Sequence, residues 1–196
     1  QAEVVAVDVE DGRVTAVRTK LGAIHPVRAA IITTGTYLNG KIHIGELSYS
    51  SGPDNVLPSS GLTDCLKKLG VSMRRFKTGT PARVHKRSID FSVMEKQSGD
   101  EQIMPFSFDN EKELHNIVDC YVTYTNAETH KVILDNLDRS PLYSGRIEGI
   151  GPRYCPSIED KIVRFRDKER HQLFVEPMGL DTDEYYLQGM SSSLPE

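Results

Sequence analysis

Over residues 1–30 apolar and polar positions alternate with a period of two. Val5, Val7 and Val9 are interleaved with Ala6 and Asp8, the pattern of a strand with one buried face. Asp11-Gly12 has the composition of a tight hairpin turn. Val14 to Thr19 repeat the strand pattern, Leu21-Gly22 turns the chain, and Ala23 to Val27 complete a β-meander. The pattern then changes. Ala29-Ala30-Ile31-Ile32 is continuously apolar, which predicts a strand buried on both faces, as in a parallel sheet. It ends in Thr33-Thr34-Gly35-Thr36, small residues that let a ligand approach the backbone closely. An ordinary strand exit has the same composition.

Residues 39–58 are rich in glycine and proline and read as loop. From Ser59 or Ser60 the period becomes helical: Leu62, Cys65, Leu66 and Leu69 share a face, and Gly70 stops the helix. Cys65 is then a core residue on that face. Val71 to Phe76 reads as a strand leading to Lys77-Thr78-Gly79-Thr80-Pro81. Residues 88–118 are polar and irregular, a surface excursion. Asp119 to Tyr124 is strand-like, with Cys120 near its start, and Thr125-Asn126-Ala127-Glu128 matches a capping box. Val132, Ile133 and Leu137 form the apolar side of the helix that follows. His130 lies near them and reads as a partly buried surface histidine. Beyond residue 157, Ile158, Ile162 and Phe165 share one helical face, and Lys161 to Arg170 are densely charged. His171 to Val175 and Tyr185 to Gly189 are further strand candidates.

The chain has 196 residues, with 38% apolar and 27% charged, enough to bury a core in one large domain or two small ones. No run is long and apolar enough for a membrane helix, so no membrane partner is expected. Twenty-four Lys+Arg against 28 Asp+Glu give a net charge of −4, which argues against a domain devoted to coating nucleic acid. A local basic strip remains: Arg74, Arg75, Lys77, Arg83, Lys86 and Arg87. It suits either a solvated rim or a surface facing the phosphates of a dinucleotide or RNA. The 3 cysteines, Cys65, Cys120 and Cys155, fit neither a disulfide framework nor a zinc pattern and suit a reducing, cytoplasmic setting. A start on Gln1 in a strand pattern and an end at Glu196 without a stop signal point to a piece of a longer protein.

The stretch Gly149-Ile150-Gly151-Pro152-Arg153-Tyr154-Cys155-Pro156-Ser157-Ile158-Glu159-Asp160-Lys161 concentrates the chemistry. Ser157 with Asp160 resembles a helix-start box. Cys155 would stand just outside that helix start, where free N–H groups and the helix dipole favour an anion, and Arg153 acts the same way. Both features lower a thiol pKa, so Cys155 is a candidate nucleophile. The alternative is a small buried residue.

Several long blocks resemble the GidA/MnmG family: Thr34 through Gly45, Lys77 through Pro81, Ser88-Ile89-Asp90-Phe91-Ser92, Asn136 through Pro141, and Gly149 through Lys161. The resemblance runs across nearly the whole chain. It implies an α/β fold: part of a glutathione-reductase-type FAD-binding domain (β-meander plus parallel-sheet strand), with an inserted α+β NADH-binding segment. On that reading residues 1–80 belong to the FAD-binding domain, 81–185 to an inserted segment facing NADH and tRNA, and 186–196 begin the return to the FAD-binding domain. The family is the flavin subunit that modifies C5 of tRNA wobble uridine. It adds an aminomethyl or carboxymethylaminomethyl group, using FAD, NADH, methylenetetrahydrofolate and glycine or ammonium. The implied partners are tRNA, the GTPase MnmE, bound through regions outside this chain, and a second copy in a homodimer.

The resemblance also implies site residues. The two catalytic cysteines match Cys120 and Cys155. The NADH stretch matches 151–165, including Gly151, Pro152, Arg153, Tyr154, Ser157 and Lys161. Flavin contacts match Val4 and Ser59, with Thr34, Gly35 and Thr36 nearby. Three features depart from the family pattern: the G-x-G-x-x-G loop is absent, the usual Gly-Arg loop reads Ser51-Gly52-Pro53-Asp54-Asn55, and Ala82 replaces a second proline. Because most of the flavin loop is missing, the isolated chain is expected to be inactive and to bind FAD weakly. Two other readings compete: an unrelated flavin- or nicotinamide-dependent thiol oxidoreductase, and a non-catalytic RNA-binding module. The absence of a CxxC weakens a disulfide-reductase version of the first, and the acidic balance weakens the second.

Overall fold

Asp11 and Gly12 adopt φ of 50° and 75°, the left-handed pair that a two-residue hairpin requires. They join β1 (Val4–Glu10) to β2 (Arg13–Thr19), and β3 (Ile24–Pro26) pairs on β2, giving an antiparallel sheet of order β1-β2-β3. The computed structural model describes residues 1–109, 113–149 and 156–195. A short hairpin follows, β4 (Lys41–Ile44) with β5 (Leu47–Ser50), closed by Gly45 at φ 52° and Glu46. Helix α1 (Gly61–Lys68) then packs on β1: Leu62 and Leu66 bury against Val7, with Val14, Val17, Leu38 and Met73 around them. Gly61 permits this approach, because a Cβ there would stand 2.8 Å from that of Val5. The helix ends in a Schellman pattern. Gly70 sits at φ 88°, Val71 N–H donates to the Leu66 carbonyl, and Gly70 N–H donates to that of Lys67.

The second half is a five-stranded sheet built from β6 (Pro81–His85), β7 (Glu95–Gln97), β8 (Cys120–Tyr124), β9 (Gln172–Pro177) and β10 (Glu184–Ser191). Its order is β6-β10-β9-β8-β7, antiparallel throughout. Two helices, α2 (Ala127–Asp135) and α3 (Ile158–Arg164), meet over Ile133, Ile158 and Ile162, which pack with Leu137, Met190 and Leu194. The tail after β10 reaches back to the β4–β5 hairpin: a Cβ on Gly45 would meet Pro195 at 2.8 Å. No helix among the described residues is long and apolar enough to cross a membrane.

The meander, α1 and the strands near 120, 172 and 185 follow the sequence pattern. Five expectations do not hold. Ala29–Ile32 forms no strand, and Ile31 is 90% exposed. An apolar run of this kind needs neighbouring strands on both sides, and no described element supplies them. The sole parallel pairing among the described residues is one bridge, Leu38 to Ser59. Val71–Phe76 is likewise irregular and exposed, with a single bridge residue at Phe76. The loop-rich segment 39–58 contains the β4–β5 hairpin. The cap of α2 is Asn126, whose side chain accepts the Thr129 N–H; Thr125 is used elsewhere. Phe165 and Val132 lie outside the packed faces assigned to them, at 50% and 62% exposure. Cys65 is half-buried, and its Sγ accepts the Val7 N–H at 3.3 Å, binding α1 to the edge of the meander.

Candidate functional site

The start of α3 is the most densely connected polar region among the described residues. Ser157 caps the helix: its Oγ accepts the Asp160 N–H at 3.3 Å, an arrangement that contributes about 1 kcal/mol in typical helices. Ser157, Ile158, Glu159 and Asp160 are all buried, because this end of α3 lies under Ser140–Pro141 and the tail after β10. Glu159 is fully buried. Its Oε1 accepts the Ser193 N–H at 2.9 Å and the hydroxyls of Ser192 and Ser193 at 3.1 and 3.2 Å. The Ser140 and Ser193 hydroxyls lie 2.9 Å apart and fasten segment 137–149 to the same tail.

Asp160 gathers groups from three other places. The Tyr143 hydroxyl donates to Oδ1 at 3.3 Å, Arg164 Nη2 lies 3.7 Å from the same oxygen, and Lys77 Nζ lies 3.7 Å from Oδ2. Burial, reinforced by the Asp160 charge, pushes the Tyr143 phenol above its ordinary pKa. Gly149 sits against this assembly from the other side, where a methyl group would stand 3.3 Å from the Arg75 carbonyl oxygen. Thus the Arg75–Lys77 segment, the Ser140–Gly149 segment, α3 and the β10 tail converge at one point.

Gly151, Pro152, Arg153, Tyr154 and Cys155 lie outside the described residues. In the sequence they connect Gly149 to Ser157, the two ends that this assembly fixes. Lys161 turns inward: Nζ donates to the Gly189 carbonyl at 3.0 Å, and burial lowers its pKa. Cys120 lies on β8 opposite Gln97 and is half-buried. Burial, then Glu176 and Asp119, push its thiol up, so it is held protonated.

A second group forms around the start of α1. Thr34 O accepts the Tyr37 N–H at 3.1 Å across Gly35, which adopts φ 52°. Ser59 N–H donates to the Tyr37 carbonyl at 3.0 Å, and the Ser59 carbonyl accepts the Asn39 N–H at 2.8 Å. Glu3, next to Val4, accepts the Ser60 N–H at 3.4 Å. The structure therefore gathers Val4, Ser59 and the Thr34–Thr36 turn around the start of α1. Sequence reasoning passed over Glu159, Tyr143, Ser192 and Ser193. Only Glu159 carried a signal, as an acidic residue directly after an apolar one at a helix start.

A family model described as glucose inhibited division protein A matches residues 1–196. The chain belongs to this family. A relative from Caldicellulosiruptor saccharolyticus, named tRNA uridine 5-carboxymethylaminomethyl modification enzyme MnmG, is 60% identical over all 196 residues, which cover 31% of that protein. A relative of the same name from Clostridium botulinum (strain Loch Maree / Type A3) is also 60% identical, with the same coverage. The fold matches GidA of Aquifex aeolicus in its form I crystal with a TM-score of 0.89 and 50% identity, covering all of this chain and 34% of that one. This GidA-family chain spans about a third of the length of the relatives it matches.

Proposed function

We propose that this chain is the part of a tRNA-modifying flavoenzyme that carries its nucleophilic thiol, and that the whole protein alters C5 of wobble uridine. The observation that carries this reading is the 60% identity, over every residue of the chain, to proteins named for that modification. The capped start of α3, with Gly149 packed against the Arg75 backbone, supports it, because these two points flank in sequence the segment that contains Cys155.

The chemistry asks for such a thiol. C5 of uracil is a poor nucleophile. The Cys155 thiolate adds to C6, forming an S–C6 bond and pushing electron density onto C5 as an enolate. C5 then attacks a one-carbon electrophile. Loss of the C5 proton to a base expels the thiolate from C6, and the uracil ring regains its double bond. The capped helix start and Arg153 favour the thiolate form of Cys155. Cys120, held protonated, is suited to donate a proton and not to attack.

FAD and NADH are part of the proposal. Val4, Ser59 and Thr34–Thr36 would hold part of the flavin; the Thr34–Tyr37 turn and Ser59 are joined through Tyr37, and the space beside Gly35 is open. The segment 151–165 would contact NADH, with Arg153 able to meet a phosphate. When bound, reduced flavin would supply the redox chemistry of the reaction, and NADH would re-reduce it. We extend the proposal to methylenetetrahydrofolate as the carbon source, to tRNA, a GTPase partner and a second copy as partners, and to a cytoplasmic setting. Replacing Cys155 with Ser in the full-length parent and analysing wobble nucleosides in cells tests the reading. Loss of the modified uridine is expected, and wild-type levels overturn the assignment of Cys155.

A further inference from the structure

We propose that the β4–β5 hairpin and Arg75 form a phosphate-binding site, gripped by Lys41, His43 and Arg75. The inference rests on the proposed function only for the identity of the ligand. Lys41 and His43 are two apart on β4 and share one face of the strand. Arg75 is drawn to the hairpin base, where Nη2 donates to the Asn39 carbonyl at 3.0 Å, leaving its other guanidinium donors available. Lys41 and Arg75 are exposed, whereas His43 is half-buried.

Three features mark the cluster as built for an anion. Lys41, Arg74 and Arg75 form no ion pair among the described residues, whereas Arg18, Lys20, Lys96 and Lys131 elsewhere each meet a carboxylate. The strand facing His43 offers Ser48 and no acid, and Glu46 in the hairpin turn pairs with none of these cations. Burial first, then the charges of Lys41 and Arg75, hold the His43 imidazole below its ordinary pKa. A phosphate placed here removes that repulsion and brings a proton onto His43.

Position supplies the last argument. Gly149, where the Cys155 segment begins, packs on the carbonyl of this same Arg75. A phosphate gripped by the cluster is therefore held by a residue that packs against Gly149, six positions before Cys155 in the sequence. Two ligands of the proposed reaction present such a group: the phosphodiester backbone of RNA and the diphosphate of NADH.

The test uses the full-length parent and its Lys41→Gln and Arg75→Gln variants, with Lys131→Gln as the control on another face. Binding of an anticodon stem-loop RNA and of NADH is measured by fluorescence over a series of salt concentrations, and thermal unfolding verifies folding. Each cluster variant is expected to lower the slope of log K against log salt by about 1 for one of the two ligands, with the control unchanged. The ligand that responds identifies the source of the phosphate. His43, followed by NMR, is expected to titrate at higher pH once that ligand is bound. Unchanged affinity and slope for both ligands, with normal wild-type binding, overturn the site. A wild-type parent that binds neither overturns the site and the proposed function together.

Discussion

Lys77 Nζ stands 3.7 Å from Asp160 Oδ2, and the two side chains are only 10% and 12% exposed. The pair ties the Lys77–Pro81 block to the start of α3, across more than eighty positions of sequence. Two charges withdrawn from water attract strongly, but each costs much when its partner is removed. Asp160 has Tyr143, Ser157 and Arg164 as further partners, whereas among the described residues Lys77 has this one carboxylate.

Asp160→Asn is therefore expected to destabilise the chain by about 3 kcal/mol, and Lys77→Met by less, since Asp160 keeps its other partners. Urea unfolding of both single variants and the double variant measures this. A coupling energy below about 0.5 kcal/mol means the pair does not act as a unit.

His171 gives the fold a pH dependence. It is buried, and its Nε2 has no partner among the described residues. Burial and the nearby His130, Lys161 and Lys168 lower its pKa in the folded state. Between the lowered folded value and the ordinary histidine value near 6.5, the unfolded chain binds more protons, so stability rises with pH there. Acidifying below about pH 6.5 is expected to lower the urea midpoint, and His171→Gln is expected to flatten that dependence. Parallel pH profiles for the two proteins would show that another group is responsible.

Much of this was legible in the sequence, and the failures share a cause. Asp11-Gly12, Gly70 and Ser157 announced their turns and caps because local backbone conformation depends on local residues. Ile31 and Ile32 read as a buried strand because hydrophobicity reports a tendency to be covered, not what does the covering. β6 was hidden by Arg83 within it and by Lys86 and Arg87 directly after it, since an edge strand exposes enough of its surface to carry charge. The role of Glu159 depends on Ser192 and Ser193, more than thirty residues away, and no spacing rule reaches that far.

Cys120 makes a separate test of the thiol chemistry. Its raised pKa leaves little thiolate near neutral pH. In the folded parent at pH 7.5, iodoacetamide is expected to label Cys120 more slowly than it labels free glutathione, and Cys155 faster. Peptide mass spectrometry after timed quenching reads both rates, and the reverse order would exchange the roles assigned to the two cysteines.

The central claim is a covalent bond between Cys155 and C6 of the wobble uridine. Full-length parent mixed with its one-carbon donor, reductant and tRNA carrying 5-fluorouridine at the wobble position should yield a denaturant-resistant adduct, because once C5 has bonded to the transferred carbon it carries fluorine and no proton whose loss could release the thiolate. Gel shift and peptide mapping are expected to place the RNA on Cys155, with no adduct in Cys155→Ser and a normal adduct in Cys120→Ser. An adduct that persists in Cys155→Ser, or that maps to another residue, would contradict the claim.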